Sequence, residues 1–344
     1  MLRELIQQID ETHYQLGSLV AISLLCCKAR KALMIVSPPG CGKSTAMELI
    51  AETWPDALTP DRTSVAGLGN MADKLNGYSG VIIVDDIATT QTDYARLSTV
   101  TALTSLVYTH RLQSSMGGEA GAYEISDFYG AAIIGIQPVL IKILMDDDVW
   151  DASIQDKCLR YYHLYRPTEP NVKPLDIQID RGIDIEQVQD FTPSGDTWKA
   201  LAKIALTQWG TSRTLLHLKD LLRAVAALES RFDVIEDDYD FLLDLLRPMA
   251  LEQIAMKKTS LEGGREFDNT LIALLAEYYT YGGEFSLANL SIDYKVSVSQ
   301  AYKIMKQQNG LWDEISKSPT RYRPSKLLNK QLDMYKLQNK EVID

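Results

Sequence analysis

The apolar residues in the first half of the chain follow two patterns in turn. Residues 2–30 carry them at helical spacing, and the continuous apolar run "ALMIVS" comes next. Two later runs, "GVIIVDD" and "GAAIIGIQP", are each preceded by segments with helical spacing. Short continuous runs are typical of strands buried on both faces, and amphipathic segments are typical of the helices that cover them. The pattern predicts an α/β fold with a parallel sheet between helices.

The helices between these runs have recognisable limits. The segment "TAMELIAETW" stops at Pro55, because proline disfavours helix continuation. Further helices are predicted over residues 65–75 and 94–108. The segment "QSSMGGEAGAYEIS" that follows is interpreted as a hairpin or a flexible insertion.

The second half of the chain has a different pattern of apolar and polar residues. A proline-punctuated stretch at residues 167–193 predicts a linker with at most an edge strand, and helices are predicted over residues 197–209, 212–232 and 236–257. A polar, glycine-ended boundary follows at residues 257–264. Beyond it the pattern predicts three shorter helices, over 267–281, from Ser286 and over 299–308, and two strands, "LWDEIS" and "RYRPS", around the turn "KSPT".

Composition narrows the class of protein. Of the 344 residues, 46% are apolar, enough for a sizeable core. The longest apolar run, residues 16–27, is shorter than the roughly 20 residues of a membrane span, and the charged N-terminus is unlike a secretory signal. The cysteines have no spacing suited to disulfides or zinc: Cys26, Cys27, Cys41 and Cys158. These features predict a globular, cytoplasmic protein without a membrane partner.

The charge is unevenly distributed. The net charge of −11 opposes binding to nucleic acid unless cations are clustered. Residues 291–344, however, contain ten lysines and arginines against six acids. Any contact with nucleic acid is therefore expected near the C-terminus or in a pore.

The clearest candidate site is "SPPGCGKST", residues 37–45, between a predicted strand and a predicted helix. In such a loop the backbone N–H groups point at phosphates, and the helix N-terminus adds its positive end. Lys43 would reach the terminal phosphates and Ser44 would hold Mg²⁺. Ser37 replaces the usual first glycine but removes no chemical group. The predicted nucleotide-binding residues are Ser37, Pro38, Pro39, Gly40, Cys41, Gly42, Lys43, Ser44 and Thr45.

Two acids end the second predicted strand, "VIIVDD". The carboxyl ends of parallel strands meet at one edge of a sheet, so both acids should lie beside the loop. Asp85 is predicted to bind Mg²⁺ through water, and Asp86 to orient the attacking water.

The loop resembles that of the AAA+ ATPases, whose pattern GPPGxGKT/S matches residues 37–44 except at the first position. The resemblance extends over residues 15–257 and implies a P-loop parallel sheet with a helical lid, using ATP and Mg²⁺. In that family the Mg²⁺-binding acid is usually followed by a catalytic glutamate. Here that position is Asp86, one methylene shorter.

The same resemblance implies roles for three more residues. The strand "AAIIGIQP" resembles the sensor-1 strand, so Gln137 would contact the γ-phosphate or the water. The segment "DKCLRYYHLYRP" resembles the one that carries the arginine finger, which assigns that role to Arg160, with Lys157 and Arg166 as alternatives. The segment "GTSRTLLHLKDLLRAVAAL" resembles the start of the lid helix, which makes Arg213 the sensor-2 arginine.

The insertion before the sensor-1 strand resembles a hairpin of minichromosome-maintenance helicases and magnesium chelatases. In ring helicases of that group the hairpin lines the pore and grips DNA. His110 and Arg111 are the basic residues near it here, and Glu119 and Glu124 oppose them. A packing insertion is the alternative interpretation.

The C-terminal pattern of three helices and two strands resembles a winged helix-turn-helix. Its recognition helix would be "VSVSQAYKIMKQQ", with Val298, Ala301, Ile304 and Met305 turned inward. Such domains bind DNA or dock proteins, so both partners stay open. The predicted DNA-binding residues are Arg111, Ser299, Gln300, Lys303, Lys306, Lys317, Arg321 and Arg323.

Five parts and three functions are thus expected. The parts are an N-terminal helical segment (1–30), the α/β ATPase core (31–192), a helical lid (193–258), a winged helix (265–328) and a tail (329–344). The leading hypothesis is a homo-oligomeric ring of about six subunits that moves, unwinds or remodels DNA, without the N-terminal DNA-binding domain of minichromosome-maintenance helicases. The alternatives are a nucleotide-switched initiator or loader, and a protein-remodelling or defence ATPase.

Overall fold

The computed structural model describes residues 1–13, 15–60, 63–87, 92–114, 122–167, 177–258, 265–308 and 310–338. Its strands are β1 (Ala32–Val36), β2 (Val81–Val84), β3 (Leu112–Ser114), β4 (Tyr123–Ile125), β5 (Ala131–Ile136), β6 (Cys158–Tyr162), β7 (Met256–Lys258), β8 (Arg265–Phe267), β9 (Phe285–Ser286), β10 (Trp312–Lys317) and β11 (Thr320–Pro324). Most of the predicted boundary at residues 257–264, and the end of the tail, lie outside the described residues.

The helices cover most of the rest. They are α1 (Leu2–Asp10), α2 (Gly17–Lys28), α3 (Lys43–Thr53), α4 (Val65–Asn70), α5 (Ala72–Leu75), α6 (Asp93–Thr109), α7 (Pro138–Met145), α8 (Gly195–Ala205), α9 (Thr211–Leu228), α10 (Glu236–Leu246), α11 (Leu251–Ala255), α12 (Asn269–Thr280), α13 (Leu287–Asp293), α14 (Val298–Gln307) and α15 (Lys326–Met334). Within the described ranges, no helix combines the length and the apolar character needed to cross a bilayer.

Four strands form one parallel sheet in the order β2-β5-β1-β6. All four are buried along their whole length, as expected for a sheet covered on both faces. The predicted α/β fold with a parallel sheet is confirmed. The sequence pattern did not predict β6, because Arg160 in its centre interrupts the apolar run that marked the other three strands.

Two helical layers cover this sheet. Alternate side chains of β1 point to opposite layers. Leu33 and Ile35 belong to the apolar cluster that includes α1–α3 and α8–α10, whereas Met34 and Val36 belong to the cluster that includes α4–α7 and the C-terminal unit, by which we mean residues 265–338. Burial of one leucine or isoleucine side chain contributes on the order of 2 kcal/mol. The sheet therefore contributes side chains to the apolar clusters on both of its faces.

The edge at which the strands begin, called here the amino edge, carries the hairpin β3–β4. Its base is attached where the ring of His110 bonds to the carbonyl oxygen of Phe128, 2.8 Å away, just before β5. The predicted hairpin is present as this short ladder. Its tip, with Glu119, lies outside the described residues.

The helices predicted as a lid, α8–α10, pack in the same layer as α2. The first turn of α9 lies at the amino edge, because the N–H of Gly210 donates to the Asp156 carboxylate at 3.0 Å, and the His217 ring bonds to the Asp156 carbonyl at 2.9 Å. Asp156 precedes β6, so this turn is at the opposite edge from the loop that follows β1.

The C-terminal unit contains α12, α13 and α14, followed by the antiparallel hairpin β10–β11, to which β9 adds a third strand. This order matches the predicted helices and strands. Helix α15 was missed, because residues 329–344 were predicted as a tail. Ser325 caps the N-terminus of α15, and Leu328 and Leu332 are buried against the unit.

Candidate nucleotide site

The loop between β1 and α3 has the backbone shape that a phosphate needs. Gly40 and Gly42 adopt left-handed conformations, with φ of 82° and 77°, which glycine adopts without strain. Ser37 is fully buried; its N–H donates to the carbonyl of Ile136 at 3.0 Å and its hydroxyl to that of Pro38 at 3.1 Å. Ser37 thus extends the β1–β5 ladder and is absent from the left-handed residues, so no glycine is needed there.

Lys43, Ser44 and Asp85 meet at the edge where the strands end, called here the carboxyl edge. The Lys43 ammonium donates to the main-chain oxygen of Asp85 and, at 2.9 Å, to its carboxylate Oδ1. The Ser44 hydroxyl lies 3.0 and 2.8 Å from the two carboxylate oxygens. A hydroxyl and a carboxylate are oxygen ligands of the kind that Mg²⁺ takes alongside nucleotide phosphates. The residues present therefore fit the implied metal.

Strand β5 lies between β1 and β2, and this order explains the position of Gln137. Gln137 directly follows β5, so its side chain emerges between the phosphate loop and the two acids. Its amide nitrogen lies 3.5 Å from Oδ2 of Asp86. The structure therefore brings Lys43, Ser44, Asp85, Asp86 and Gln137 to one edge.

Gly135 is a residue of this site that the sequence reasoning missed. A β-carbon at position 135 would lie 1.9 Å from the carbonyl oxygen of Asp85 and 2.6 Å from the Lys43 ammonium. Only glycine lets β5 approach this closely. A glycine inside an otherwise apolar strand is the sequence signal that could have identified it.

Gly135→Ala is expected to lower nucleotide turnover at least about tenfold, because the added methyl must displace the Lys43–Asp85 contact, and to cost about 1–3 kcal/mol of stability through overpacking. Phosphate release and chemical denaturation measure the two effects. Gly210→Ala is the matched control, since a β-carbon there would come no closer than 3.6 Å to another group. Wild-type turnover in Gly135→Ala would contradict the assignment.

His163 is the second residue that was missed. It follows β6; its N–H donates to the Val36 carbonyl at 3.0 Å, and its ring Nε2 donates to the carbonyl of Cys41 at 2.8 Å. Burial lowers the pKa of His163 to about 4, so the ring is neutral near pH 7. It fixes the backbone of the phosphate loop. A lone histidine beyond an unrecognised strand gave no signal for this role.

Arg160 does not occupy the position predicted for an arginine finger. Its side chain is fully buried, and its guanidinium donates to both oxygens of Glu252 at 2.7 Å. Further bonds go to the carbonyls of Gln155 and Gln208. A group enclosed in this way cannot reach a nucleotide on a neighbouring subunit. We correct the assignment: Arg160 attaches β6 to α11.

Arg213 also does not lie where its predicted role requires. It lies in the first turn of α9 at the amino edge, with its guanidinium 4.5 Å from the ring centre of Tyr108 in the last turn of α6. The phosphate loop is at the carboxyl edge of the same sheet. Arg213 therefore cannot act as a sensor-2 arginine for the nucleotide of its own chain, because the whole length of the sheet separates them.

The two alternatives for the arginine finger differ in position. Lys157 precedes β6 at the amino edge and donates to the hydroxyl of Ser105 at 3.2 Å. Arg166 lies at the carboxyl edge, against the phosphate loop of its own chain, with Nε 3.4 Å from the carbonyl of Pro39. Only Arg166 of these two lies at the nucleotide site.

The predicted nucleic-acid residues are dispersed, and several have other contacts. Arg111 is exposed beside the hairpin. On α14, Ser299, Lys303 and Lys306 are exposed, but the Gln300 side chain accepts from the N–H of Ser297 at 2.8 Å and so caps its own helix. In the hairpin β10–β11, Lys317 and Arg323 are exposed, whereas Arg321 pairs with Glu284 at 2.5 Å.

The inward face of α14 also needs a correction. Ala301 and Met305 are buried and Ile304 is half-buried, as predicted. Val298 is 56% exposed, because the chain enters the helix there from a capping turn at Ser297. With Tyr302 and Ile292, which are 42% and 73% exposed, it gives α13 and α14 an apolar outer surface.

Comparison with known proteins supports the nucleotide site. Residues 33–118 match the family model described as RNA helicase. The chain contains a helicase-like P-loop NTPase domain. The matched range starts in β1 and includes the phosphate loop, Asp85, Asp86 and the first strand of the hairpin. No curated protein matches the chain.

Proposed function

We propose that the chain is an AAA+ ATPase that couples ATP hydrolysis to the movement or remodelling of nucleic acid. The observation that carries this proposal is the convergence of Lys43, Ser44, Asp85, Asp86 and Gln137 at the carboxyl edge of a parallel sheet, within or beside the range that matches an RNA helicase family. The family match makes RNA as relevant a substrate as the DNA suggested by the sequence.

Each residue would have a defined part in hydrolysis. The loop N–H groups and Lys43 hold the phosphates, and Lys43 would exchange its bond to Asp85 for one to a phosphate oxygen. Ser44 and Asp85 would hold Mg²⁺, which neutralises phosphate charge. Asp86 and Gln137, with side-chain atoms 3.5 Å apart, would both hydrogen-bond to the attacking water and orient it. Aspartate is shorter than glutamate, so we expect slow basal hydrolysis.

We extend the proposal to a homo-oligomeric ring, with a hexamer as the expected form, on the basis of the resemblance to motors with a pore hairpin. The position of β3–β4 at the amino edge is compatible with a pore lining. We further propose that the C-terminal unit is a winged helix, because three helices are followed by the antiparallel pair β10–β11. Its exposed cations on α14 and the hairpin would contact the phosphate backbone.

Nucleic acid is expected to stimulate ATP hydrolysis severalfold at low salt, with single-stranded DNA, single-stranded RNA and duplexes assayed separately. Reversal of charge on α14 (Lys303→Glu with Lys306→Glu) should reduce stimulation and binding, because phosphate contacts supply most of such affinity. The control with equal charge change is Lys326→Glu with Lys330→Glu on the exposed face of α15. Absence of stimulation by every nucleic acid would refute the motor hypothesis.

One observation favours a second candidate, a protein-remodelling or defence ATPase whose C-terminal unit docks a protein. Ile292, Val298 and Tyr302 place apolar area where a DNA-binding helix would present polar side chains. The two candidates differ in one measurement. Loss of function in Val298→Asp with full function in the lysine double variant would favour protein docking.

A further inference from the structure

Arg166 connects the phosphate loop to the C-terminal unit. It lies four residues beyond β6, where the chain passes along the outside of the loop. Its Nε is 3.4 Å from the carbonyl of Pro39, and its side chain is 3.7 Å from the position of a β-carbon on Gly40. Together with His163, Arg166 therefore braces the loop from the β6 side.

The far end of the same guanidinium contacts two acids of the C-terminal unit. Nη1 lies 3.1 Å from Oε1 of Glu277 on α12 and 3.2 Å from Oδ2 of Asp293 on α13. The main-chain N–H of Arg166 also donates to the hydroxyl of Thr280 at 3.1 Å. A single residue thus joins the loop to two helices of the unit.

This cluster is charged and largely enclosed. Glu277 is fully buried, and the Arg166 and Asp293 side chains are only 17% and 16% exposed. Burial, and then the neighbouring Asp293, raise the pKa of Glu277 to about 8. Glu277 Oε2 is buried without a hydrogen-bond donor among the described residues. Glu277 is therefore largely protonated at pH 7, and removal of the guanidinium would leave the negative charge of Asp293 uncompensated beside a loop that binds anions.

We propose that Arg166 is a positioning residue of the phosphate loop, held by Glu277 and Asp293, so that nucleotide affinity depends on docking of the C-terminal unit. The inference rests on the proposed nucleotide site. Because coupling between two sites is reciprocal, bound nucleotide also stabilises the docked unit. The C-terminal unit thereby senses whether the loop is occupied, through a contact within one chain.

Arg166→Ala is expected to weaken binding of ADP and ATP at least about tenfold, since the loop loses a brace and gains uncompensated negative charge. Addition of Asp293→Asn to this variant should recover part of the affinity, because the uncompensated carboxylate charge is removed while the shape is kept. A purely structural role would not give this rescue. Titration with a fluorescent ADP analogue measures both.

The control is Lys219→Ala, which removes the ion pair between Lys219 of α9 and Asp190 without touching the loop or the C-terminal unit. It should leave nucleotide affinity unchanged. In the wild-type chain, ADP should slow hydrogen exchange of the α12 amides, and in Arg166→Ala it should not. Should Arg166→Ala fail to fold, Arg166→Lys replaces it, with an expected intermediate affinity.

Two results separate the inference from the proposed function. In a wild-type chain that binds ADP, α12 exchange that ADP leaves unchanged would overturn the role of Arg166 alone, and so would wild-type affinity in Arg166→Ala or Arg166→Lys. If the wild-type chain binds neither ADP nor ATP, the proposed function itself fails.

Discussion

Lys43→Ala is expected to abolish measurable ATP turnover, a loss of at least about 100-fold, which is the usual cost of removing a group that stabilises developing phosphate charge. The Lys43 side chain is 12% exposed and points at Asp85 across the site. Alanine there also leaves Asp85 without its cation, so phosphates would meet unopposed negative charge. Phosphate release at saturating ATP is the measurement.

Lys74→Ala is the control for this prediction, since Lys74 is an exposed lysine on α5 of the same domain. Both variants should unfold at nearly the wild-type denaturant concentration, because neither lysine supports the core. Turnover within about threefold of wild type in Lys43→Ala would mean that the loop is not the hydrolytic site.

Arg160→Ala is expected to destabilise the fold by about 3–5 kcal/mol, the cost of leaving one partner of a buried ion pair unpaired. Glu252 accepts two bonds from Arg160 at 2.7 Å and one from the Tyr162 hydroxyl at 3.0 Å. Without the guanidinium, the buried carboxylate keeps only the hydroxyl. Chemical denaturation would measure the loss.

The double variant Arg160→Met with Glu252→Met tests whether the unpaired charge of Glu252 causes this loss of stability. Because it removes both charges and keeps apolar volume, it should recover most of the lost stability. An Arg160→Ala protein of wild-type stability that loses only turnover would contradict the buried position and restore the arginine-finger assignment.

The local pattern of apolar residues was enough to predict much of the fold. The runs that became β1, β2 and β5 are continuous and apolar, so burial on both faces could be inferred from them directly. Strand β6 could not be inferred in this way, because its central residue is an arginine. Whether Arg160 is buried depends on its partner Glu252, 92 residues further along the chain. The end of the C-terminal unit was misjudged for a different reason: α15 is amphipathic in its own sequence, but residues 329–344 were assigned to a tail.

Some residues of the candidate site could likewise be predicted from the sequence, and others could not. The phosphate loop and the acids after β2 depend on residue types a few positions apart, so the sequence was sufficient to predict that Lys43, Ser44 and Asp85 lie together. The roles predicted for the arginines depended on a resemblance to a family. The long side chain of arginine allows its guanidinium to reach many different partners, so its position along the sequence does not fix its contacts. The structure places Arg160 in the core and Arg213 at the amino edge, and it places Arg166 at the loop.

The sequence by itself determined the turn shape of the loop and the layered α/β architecture, because both arise from contacts and periodicities within short segments. Only the tertiary structure decided which strand lies beside which, and the order β2-β5-β1-β6 is what brings Gln137 to Asp86 and demands glycine at position 135. It also decided that Arg166 meets Glu277, 111 residues away. Contacts at such separations depend on how whole elements pack, and no local pattern records them.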